Sequence, residues 1–587
     1  MHLDFRNINT LWSSIIAETL SRLGLTTAVI CPGSRSTPLT LAFANHPHIE
    51  TIPVLDERSA AFLALGIAKR THLPVALICT SGTAGANFYP AVIEGKESQV
   101  PLLIFTADRP PELRNCHAGQ TIDQVKLYGN YPNWYTELSL PSVEMKLLSY
   151  LRQTIITAWN HALVPYQGIV HLNCPFREPL APIIEPNIAN LYANINFDNF
   201  FVNIYQGNQE IASTDYLYNY LNHWLSQEKG IIIAGVFNSK HPSRYCKQIF
   251  RLSTLLNYPV LGEVLSPLRN YVQDFPNLIN TYDILLRNNE VAAQLVPDVV
   301  IQIGEFPTSK QLRQWLINHQ VKHWVIDSRS DSLDPLHNHT YHIRADIHHL
   351  NMEYDEKYKP QKVDLSYLNQ WKKVNKIVNH NITANFDQTQ DLIEAKLPFI
   401  LSKSLPEETL IFIANSMPVR YAEFFWMPNK RQFMPYFNRG ANGIEGTLST
   451  ALGIAYKARN SVLVTGDLAL LHDTNGWLIC QQFQGHLTII LINNNGGGIF
   501  EMLPISKEKS FFESYFATPQ HIDFSQLCFT YNIEHILIKN WTQLKQLVNP
   551  LPSTGIRVLE LQTDRKRDAI WLQNSLEKLS IIDDIET

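Results

Sequence analysis

The sequence predicts an α/β protein: three consecutive doubly wound domains, each a parallel sheet covered by helices on both faces. Three observations carry that expectation. Short apolar strands, bounded by Pro, Gly or polar residues, alternate with helix-length segments along most of the chain. The strand runs are apolar throughout, as strands buried on both faces must be. The rhythm also lapses twice, dividing 587 residues, too many for one core, into stretches of domain size.

In the first stretch TTAVICPG, TIPVLDE, PVALICTSG and PLLIFTADRP read as strands, with ERSAAFLALGIAKR (Glu57 to Arg70) as a helix between them. A Pro- and Asn-rich passage near 179–215 has no period and reads as linker. The second stretch runs through GIIIAGVF, YPVLGEVL, PDVVIQIGEF and KHWVIDS, with helices such as SKQLRQWLINH. A polar passage near 355–390, part of which can be helical, marks the next boundary. The third stretch holds TLIFIANS, SVLVTGD, LTIILINNN and GIRVLELQT. The expected domains are therefore 1–185, 186–365 and 366–587.

Charged residues make up 17% of the chain, below the ~25% of an average domain, which implies extensive burial and leaves room for subunit interfaces. A formal charge of −5, with basic residues dispersed, gives no footprint for nucleic acid. The seven cysteines are far apart without a C-x-x-C pair and read as small core residues in a reducing compartment. Cys31 precedes a Gly-Ser-Arg loop, where a nucleophile is conceivable. Its place on the apolar strand AVIC makes core filler the better reading. MHLDFRNINT has no basic region followed by an apolar one, and no apolar run approaches membrane-spanning length. The expectation is a cytoplasmic protein.

The chemistry concentrates in GDLALLHDTNGWLICQQFQGHLTIILINNNGGGIF, Gly466 to Phe500. Two parallel strands joined by a helix bring Asp467, Asn494 and the carbonyls of Gly496, Gly497 and Gly498 to one sheet edge, where open α/β folds bind ligands. These are hard oxygen donors, suited to Mg²⁺ held to a phosphorylated cofactor. The spacing resembles the thiamine-diphosphate fingerprint, a Gly-Asp pair followed by Asn-Asn. Such a cofactor also needs a carboxylic acid beside its pyrimidine, and Glu57, opening a helix after a short strand, fits. On position alone, the better reading of Asp56 and Glu57 is as acids favoured by the helix dipole. Their pairing with the Gly466–Gly498 motif favours the catalytic reading.

Further strings narrow the family: CPGSRSTPL, DERSAAFLALGIAK, TSGTAGANFYPAVIE, TADRPPEL, ANSMPVR, NRGANGIEG and NNNGGGIF. Together they closely resemble the 2-succinyl-5-enolpyruvyl-6-hydroxy-3-cyclohexene-1-carboxylate synthases, thiamine-diphosphate enzymes of menaquinone and phylloquinone biosynthesis. The resemblance spans essentially the whole chain. It implies decarboxylation of 2-oxoglutarate and addition of the succinyl unit to isochorismate. It implies Glu57 as the pyrimidine-activating acid, and Asp467, Asn494 and Gly496 as ligands of Mg²⁺ or Mn²⁺. Ser416 and Gly466 would contact the cofactor, with Ile444, Ile499 and Phe500 lining its pocket. Ser34, Arg35, Arg109, Gln120, Lys310, Arg420 and Arg439 would handle the substrates. The resemblance also implies a homodimer or tetramer.

The basic set suits dicarboxylate substrates, because guanidinium binds carboxylate in two-pronged fashion. For Lys310 a solvated helix remains an equal reading. Leu468 stands where many thiamine-diphosphate enzymes carry Gly, and Gly119 where some relatives carry Asn, so a polar substrate contact at 119 is not expected. The spacing of His337, His339, His342, His348 and His349 matches no zinc pattern. No G-x-G-x-x-G follows a central strand, so neither FAD nor NAD is indicated. Two competing readings stay open: another thiamine-diphosphate enzyme, such as an acetohydroxyacid synthase or 2-oxoacid decarboxylase, and a non-catalytic relative acting as a binding module.

Overall fold

The computed structural model describes residues 2–189, 197–202, 204, 217–272, 275–337, 339–349 and 364–581. The first sheet comprises β1 (Thr27–Ile30), β2 (Glu50–Pro53), β3 (Val75–Cys79), β4 (Leu102–Asp108), β5 (Trp134–Glu137) and β6 (Ile169–Pro175). Its order is β2-β1-β3-β4-β6-β5, all parallel. The second comprises β7 (Gly230–Ala234), β8 (Val260–Gly262), β9 (Leu278–Ile279), β10 (Val299–Ile303), β11 (Lys322–Ile326) and β12 (Thr340–Ile343), in the order β12-β11-β10-β7-β8-β9. The third holds β13 (Leu410–Ile413), β14 (Met434–Tyr436), β15 (Ser461–Gly466), β16 (His486–Asn493), β17 (Glu534–Leu537) and β18 (Gly555–Gln562), in the order β14-β13-β15-β16-β18-β17. The first and third sheets thus share one topology. The chain reverses direction across the sheet between β1 and β3 and again between β13 and β15, the places where such sheets hold ligands at their carboxyl edge.

Every strand expected from the sequence is present, and six more accompany them. Five of these (β5, β9, β12, β14, β17) lie at sheet edges, where a short strand with one open side carries little apolar signal. The sixth, β6, is interior, but His171 and Asn173 interrupt its apolar run. Both are buried and bonded: Thr106 Oγ1 lies 2.8 Å from His171 Nε2, and Asn173 Nδ2 donates to Asp108 Oδ2 at 2.8 Å.

Two compact units result. One takes Met1–Glu210 together with the returns Asn438–Ala458 and Leu471–Gly485; the other takes the remainder, including the second and third sheets. In the first unit the helix Glu57–Thr71 crosses the helix Thr447–Ala455 at very close range. A Cβ on Gly66 would stand 2.1 Å from the Thr450 carbonyl, and one on Gly453 would stand 2.2 Å from the Leu63 carbonyl, so only glycine permits the approach.

Residues 366–388 of the polar passage, part of which the sequence allowed to be helical, are a long helix whose Tyr367, Trp371, Val374, Val378 and Ile382 stripe enters the core of the second unit. Residues 355–363 of that passage, and much of the 179–215 linker, lie outside the described residues. One expectation needs correction: the cysteines are not all core residues, since Cys116 is exposed in a loop and Cys480 half-buried.

The segment between β15 and β16 is a six-residue helix, Asp467–His472, followed by 3₁₀ turns over Thr474–Gln482, because the Asp-Thr-Asn-Gly sequence breaks helical continuity. Asp473 at the break accepts from Ser449 N at 2.6 Å and Ser449 Oγ at 3.0 Å. Burial pushes its carboxyl from 3.8 up to about 6. The folded chain therefore holds this proton more tightly than the unfolded one. The resulting stabilisation is full below about pH 4 and is lost as pH rises through about 6. Asp473→Asn, whose amide can satisfy both Ser449 groups, should show a flatter decline of the urea midpoint between pH 4 and 7. Equal slopes in the two proteins would remove Asp473 from this role.

Candidate active site

At the carboxyl edge of the third sheet, Ser416 follows β13, Asp467 follows β15 and Asn494 follows β16. Ser416 holds φ 72° and ψ −130°, a region that costs a non-glycine residue about 1–3 kcal/mol. Arg420, one turn into the helix Met417–Phe425, donates to the Ser416 carbonyl at 2.5 Å. Asp467 Oδ2 accepts from Gly496 N and Oδ1 from Leu468 N, both at 2.8 Å. Burial raises this carboxyl to about 6, with the backbone bonds and Arg565 pulling the other way.

Asn494 Nδ2 donates to Glu394 Oε1 at 2.7 Å, while Asn494 Oδ1 is buried without a partner. An unsatisfied buried acceptor beside a carboxylate is what a small divalent cation would use. Gly496 has φ 132°, and a Cβ there would meet the Ala517 carbonyl at 2.4 Å, so the loop requires glycine. Its own carbonyl accepts from Gly498 N at 2.9 Å, leaving one lone pair for another partner. Gly466 closes β15 with open space where a side chain would be, and Ile499 and Phe500 follow half-buried on the turn Gly498–Met502.

Arg565, on the helix Arg565–Leu579, braces this loop by donating to the Asn495 carbonyl at 2.7 Å, to Glu501 at 3.0 Å and to Glu513. Neither Arg565 nor Glu394 was visible as a site residue in the sequence, because each reaches the motif from far along the chain.

In the first unit, Glu57 opens its helix half-buried, and its carboxylate has no hydrogen bond or ion pair among the described residues. Asp56 performs the capping, accepting from Ser59 N at 2.9 Å, so Glu57 is not needed for it. A mainly apolar recess of about 500 Å³ lies at the ends of β1 and β2, lined by Ile30, Cys31, Pro32, Val54, Leu55 and Leu478. Burial, with the nearby Glu57 charge, drives the Cys31 thiol well above its ordinary value, leaving an inert core residue.

Arg35, Arg109 and Gln120 gather around the end of β3. Arg35 N donates to Thr80 Oγ1 at 3.2 Å, Arg109 donates to Ser81 Oγ, and Gln120 Nε2 donates to the Ser81 carbonyl at 3.0 Å. Arg35 is buried, pairs with Glu178 at 3.2 Å, and keeps Nε unpartnered. Burial, then the charge of Arg109, lower its pKa below the usual guanidinium value. Two adjacent cations with a spare buried donor form a ready site for an anion. Ser34 is exposed beside them.

Arg439 and Ile444 are half-buried in the loop that enters the helix Thr447–Ala455. That loop is anchored by a buried ion pair. Lys69 Nζ lies 3.2 Å from Glu94 Oε1 and 2.8 Å from Asn438 Oδ1, while Glu94 accepts from Gly440 N at 3.2 Å and Ala441 N at 2.8 Å. The strings DERSAAFLALGIAK, TSGTAGANFYPAVIE and NRGANGIEG thus meet at Lys69, Glu94 and Asn438. Sequence reasoning did not single out these three residues; the signal that could have found them is a charge on the buried face of each helix, Lys69 and Glu94.

Lys310 is exposed at the start of its helix and unpaired among the described residues. Of the histidines, His348 bridges Ser239 at 2.8 Å and Asp346 at 2.7 Å, and His342 accepts from Leu333 N at 3.3 Å. The side chain of His349 lies outside the described residues.

Three family models match in chain order: the thiamine pyrophosphate enzyme N-terminal TPP binding domain at 12–127, the middle domain of thiamine pyrophosphate at 205–413, and the C-terminal TPP binding domain at 416–556. A solved thiamine diphosphate-dependent 4-hydroxybenzoylformate decarboxylase from Rhodococcus jostii RHA1 shares the fold at TM-score 0.68 and 14% identity, over 94% of this chain and 99% of that one. Fold and strand-end residues therefore define a thiamine-pyrophosphate enzyme. A 2-succinyl-5-enolpyruvyl-6-hydroxy-3-cyclohexene-1-carboxylate synthase of Crocosphaera subtropica is 81% identical over 99% of this chain and all of that protein. Synthases of the same name from Rippkaea orientalis and Gloeothece citriformis are each 59% identical, over 99% of this chain and 98% and 100% of theirs. The chain belongs to this synthase family.

Proposed function

We propose that this chain decarboxylates 2-oxoglutarate and joins the remaining succinyl unit to isochorismate, forming 2-succinyl-5-enolpyruvyl-6-hydroxy-3-cyclohexene-1-carboxylate for menaquinone or phylloquinone synthesis. The observation that carries the reading is the pairing of two features: a free acid at Glu57, and a hard-oxygen set at Asp467 and Asn494 with an unsatisfied Asn494 Oδ1. When bound, thiamine diphosphate would supply a carbon nucleophile for a 2-oxo carbonyl and a thiazolium ring as sink for the electrons left by departing carbon dioxide.

The chain's residues do the rest. Asp467, Asn494 and the Gly496 carbonyl would hold Mg²⁺, or Mn²⁺ in its place, and Gly466 and Ser416 would contact the cofactor. Glu57 exchanges a proton with the pyrimidine ring, and Ile444, Ile499 and Phe500 shape the cofactor's surroundings. Ser34, Arg35, Arg109, Gln120, Arg420 and Arg439 receive the substrates' carboxylates and hydroxyls, with Lys310 at the margin. We further propose a cytoplasmic homodimer or tetramer, divided at 1–185, 186–365 and 366–587. No described helix is long and apolar enough to cross a membrane. The deciding assay supplies 2-oxoglutarate and isochorismate with and without thiamine diphosphate and Mg²⁺. Release of carbon dioxide without the joined product would favour a simple 2-oxoacid decarboxylase.

The arginines give the sharpest substrate test. The donor fragment keeps its distal carboxylate and isochorismate brings two, so a dry site must supply fixed cations. Arg35→Ala, Arg420→Ala and Arg439→Ala should each cost on the order of 2–5 kcal/mol in kcat/KM, with cofactor affinity little changed. Kinetics for both substrates would check this. Near-normal kcat/KM in all three variants would end the dicarboxylate reading.

A further inference from the structure

We infer that Glu394 is a positioning residue for the metal: it fixes the side-chain amide of Asn494 so that the oxygen, and not the nitrogen, is left for the cation. The inference rests on the reading of Asn494 as a metal ligand. An asparagine amide has two nearly isosteric ends, a donor and an acceptor, and only the acceptor can bind a cation. Some neighbour must choose between them. Here Asn494 Nδ2 donates to Glu394 Oε1 at 2.7 Å, and Asn494 Oδ1 is left buried with no partner. The flipped amide would set its oxygen against the Glu394 carboxyl oxygen and its N–H groups where the cation belongs.

Glu394 is itself held rigidly. It is buried, and Ile393 and Ala395 on either side belong to the core of the second unit. Its backbone N donates to Asp568 Oδ1 at 3.3 Å, and Thr563 Oγ1 lies 3.4 Å from the same Oε1 that receives Asn494. The acceptor therefore comes from a fixed point of the core, outside both strands that carry the ligands. Partners that orient a metal ligand typically account for about 10–100-fold in metal affinity.

The test is Mn²⁺ affinity, read by electron paramagnetic resonance in the presence of saturating thiamine diphosphate, so that turnover is not needed. Glu394→Gln carries an amide that can face Asn494 with either end, so it should lie between the parent chain and a variant with no acceptor. Glu394→Met removes the acceptor at nearly constant length and should weaken Mn²⁺ about 10–100-fold. Glu394→Ala, which leaves space instead of bulk, replaces the Met variant if that chain fails to fold. Thermal melting without metal separates a purely structural role, which would lower the melting temperature of the Met variant and leave its Mn²⁺ affinity intact.

Asn494→Ala serves as the reference. Unchanged Mn²⁺ affinity there would overturn the ligand reading itself. A large loss there, with parent-like affinity in a folded Met or Ala variant at 394, would overturn the positioning role alone.

Discussion

Replacing Glu57 with Gln should lower turnover by about 10²–10⁴-fold, the span associated with a positioned proton-transfer group. Binding of thiamine diphosphate and Mg²⁺ should be nearly unaffected. The amide keeps the shape of the acid but cannot exchange a proton with the pyrimidine. The hydrogen-bonded capping at this point belongs to Asp56, so what Glu57 gives the helix is at most the favourable charge of a first-turn acid. Asp56 already accepts the Ser59 N–H and a bond from Asn475 at 2.9 Å, so the helix is capped without Glu57. Hydrogen–deuterium exchange at the thiazolium carbon of the bound cofactor reads the affected step directly. A rate equal to that of the parent chain would take Glu57 out of this role.

Lys69→Met should be the most destabilising of the single substitutions considered, by about 3–5 kcal/mol, because it leaves Glu94 buried without its counter-charge. Lys69 and Glu94 are 4% and 3% exposed, so solvent can do little to compensate. Adding Glu94→Gln should recover much of the loss. The glutamine oxygen can still accept from Gly440 N and Ala441 N, and no charge is left stranded. Denaturant titration of the parent, the single variant and the double variant measures both effects. A loss below about 1 kcal/mol in Lys69→Met would mean that water reaches Glu94 and that the pair does not anchor the Arg439 loop.

The difference between what the sequence disclosed and what it hid has a physical pattern. Strands such as β4 and β16 announced themselves because burial on both faces demands unbroken apolar runs. β6 did not, since the polar groups of His171 and Asn173 are satisfied only by residues of other strands and loops. The same holds at the site. Asp467, Asn494 and Gly496 are legible because one βαβ unit fixes their spacing. Glu394 and Arg565 act on the same loop from distant segments, and no local pattern records a contact made only after folding. The anchoring pair lay between these extremes, as charges embedded in apolar helices whose partner only the structure could name.

The two returning segments also bear on how the chain is made. The compact unit containing Glu57 is not complete until residues 438–458 and 471–485 have joined it. A ribosome must therefore release Ala455 before the glycine face of the Glu57 helix can meet the Thr447–Ala455 helix, and Gly485 before the unit is complete. Until then the glycine face of the Glu57 helix waits uncovered while the second sheet and the first two strands of the third are translated. At about 5–20 residues per second that wait is tens of seconds. The first unit thus cannot finish folding until its two late returns have been made, and a nascent chain stalled before Thr447 would present that uncovered helix face to any chaperone or neighbouring chain within reach.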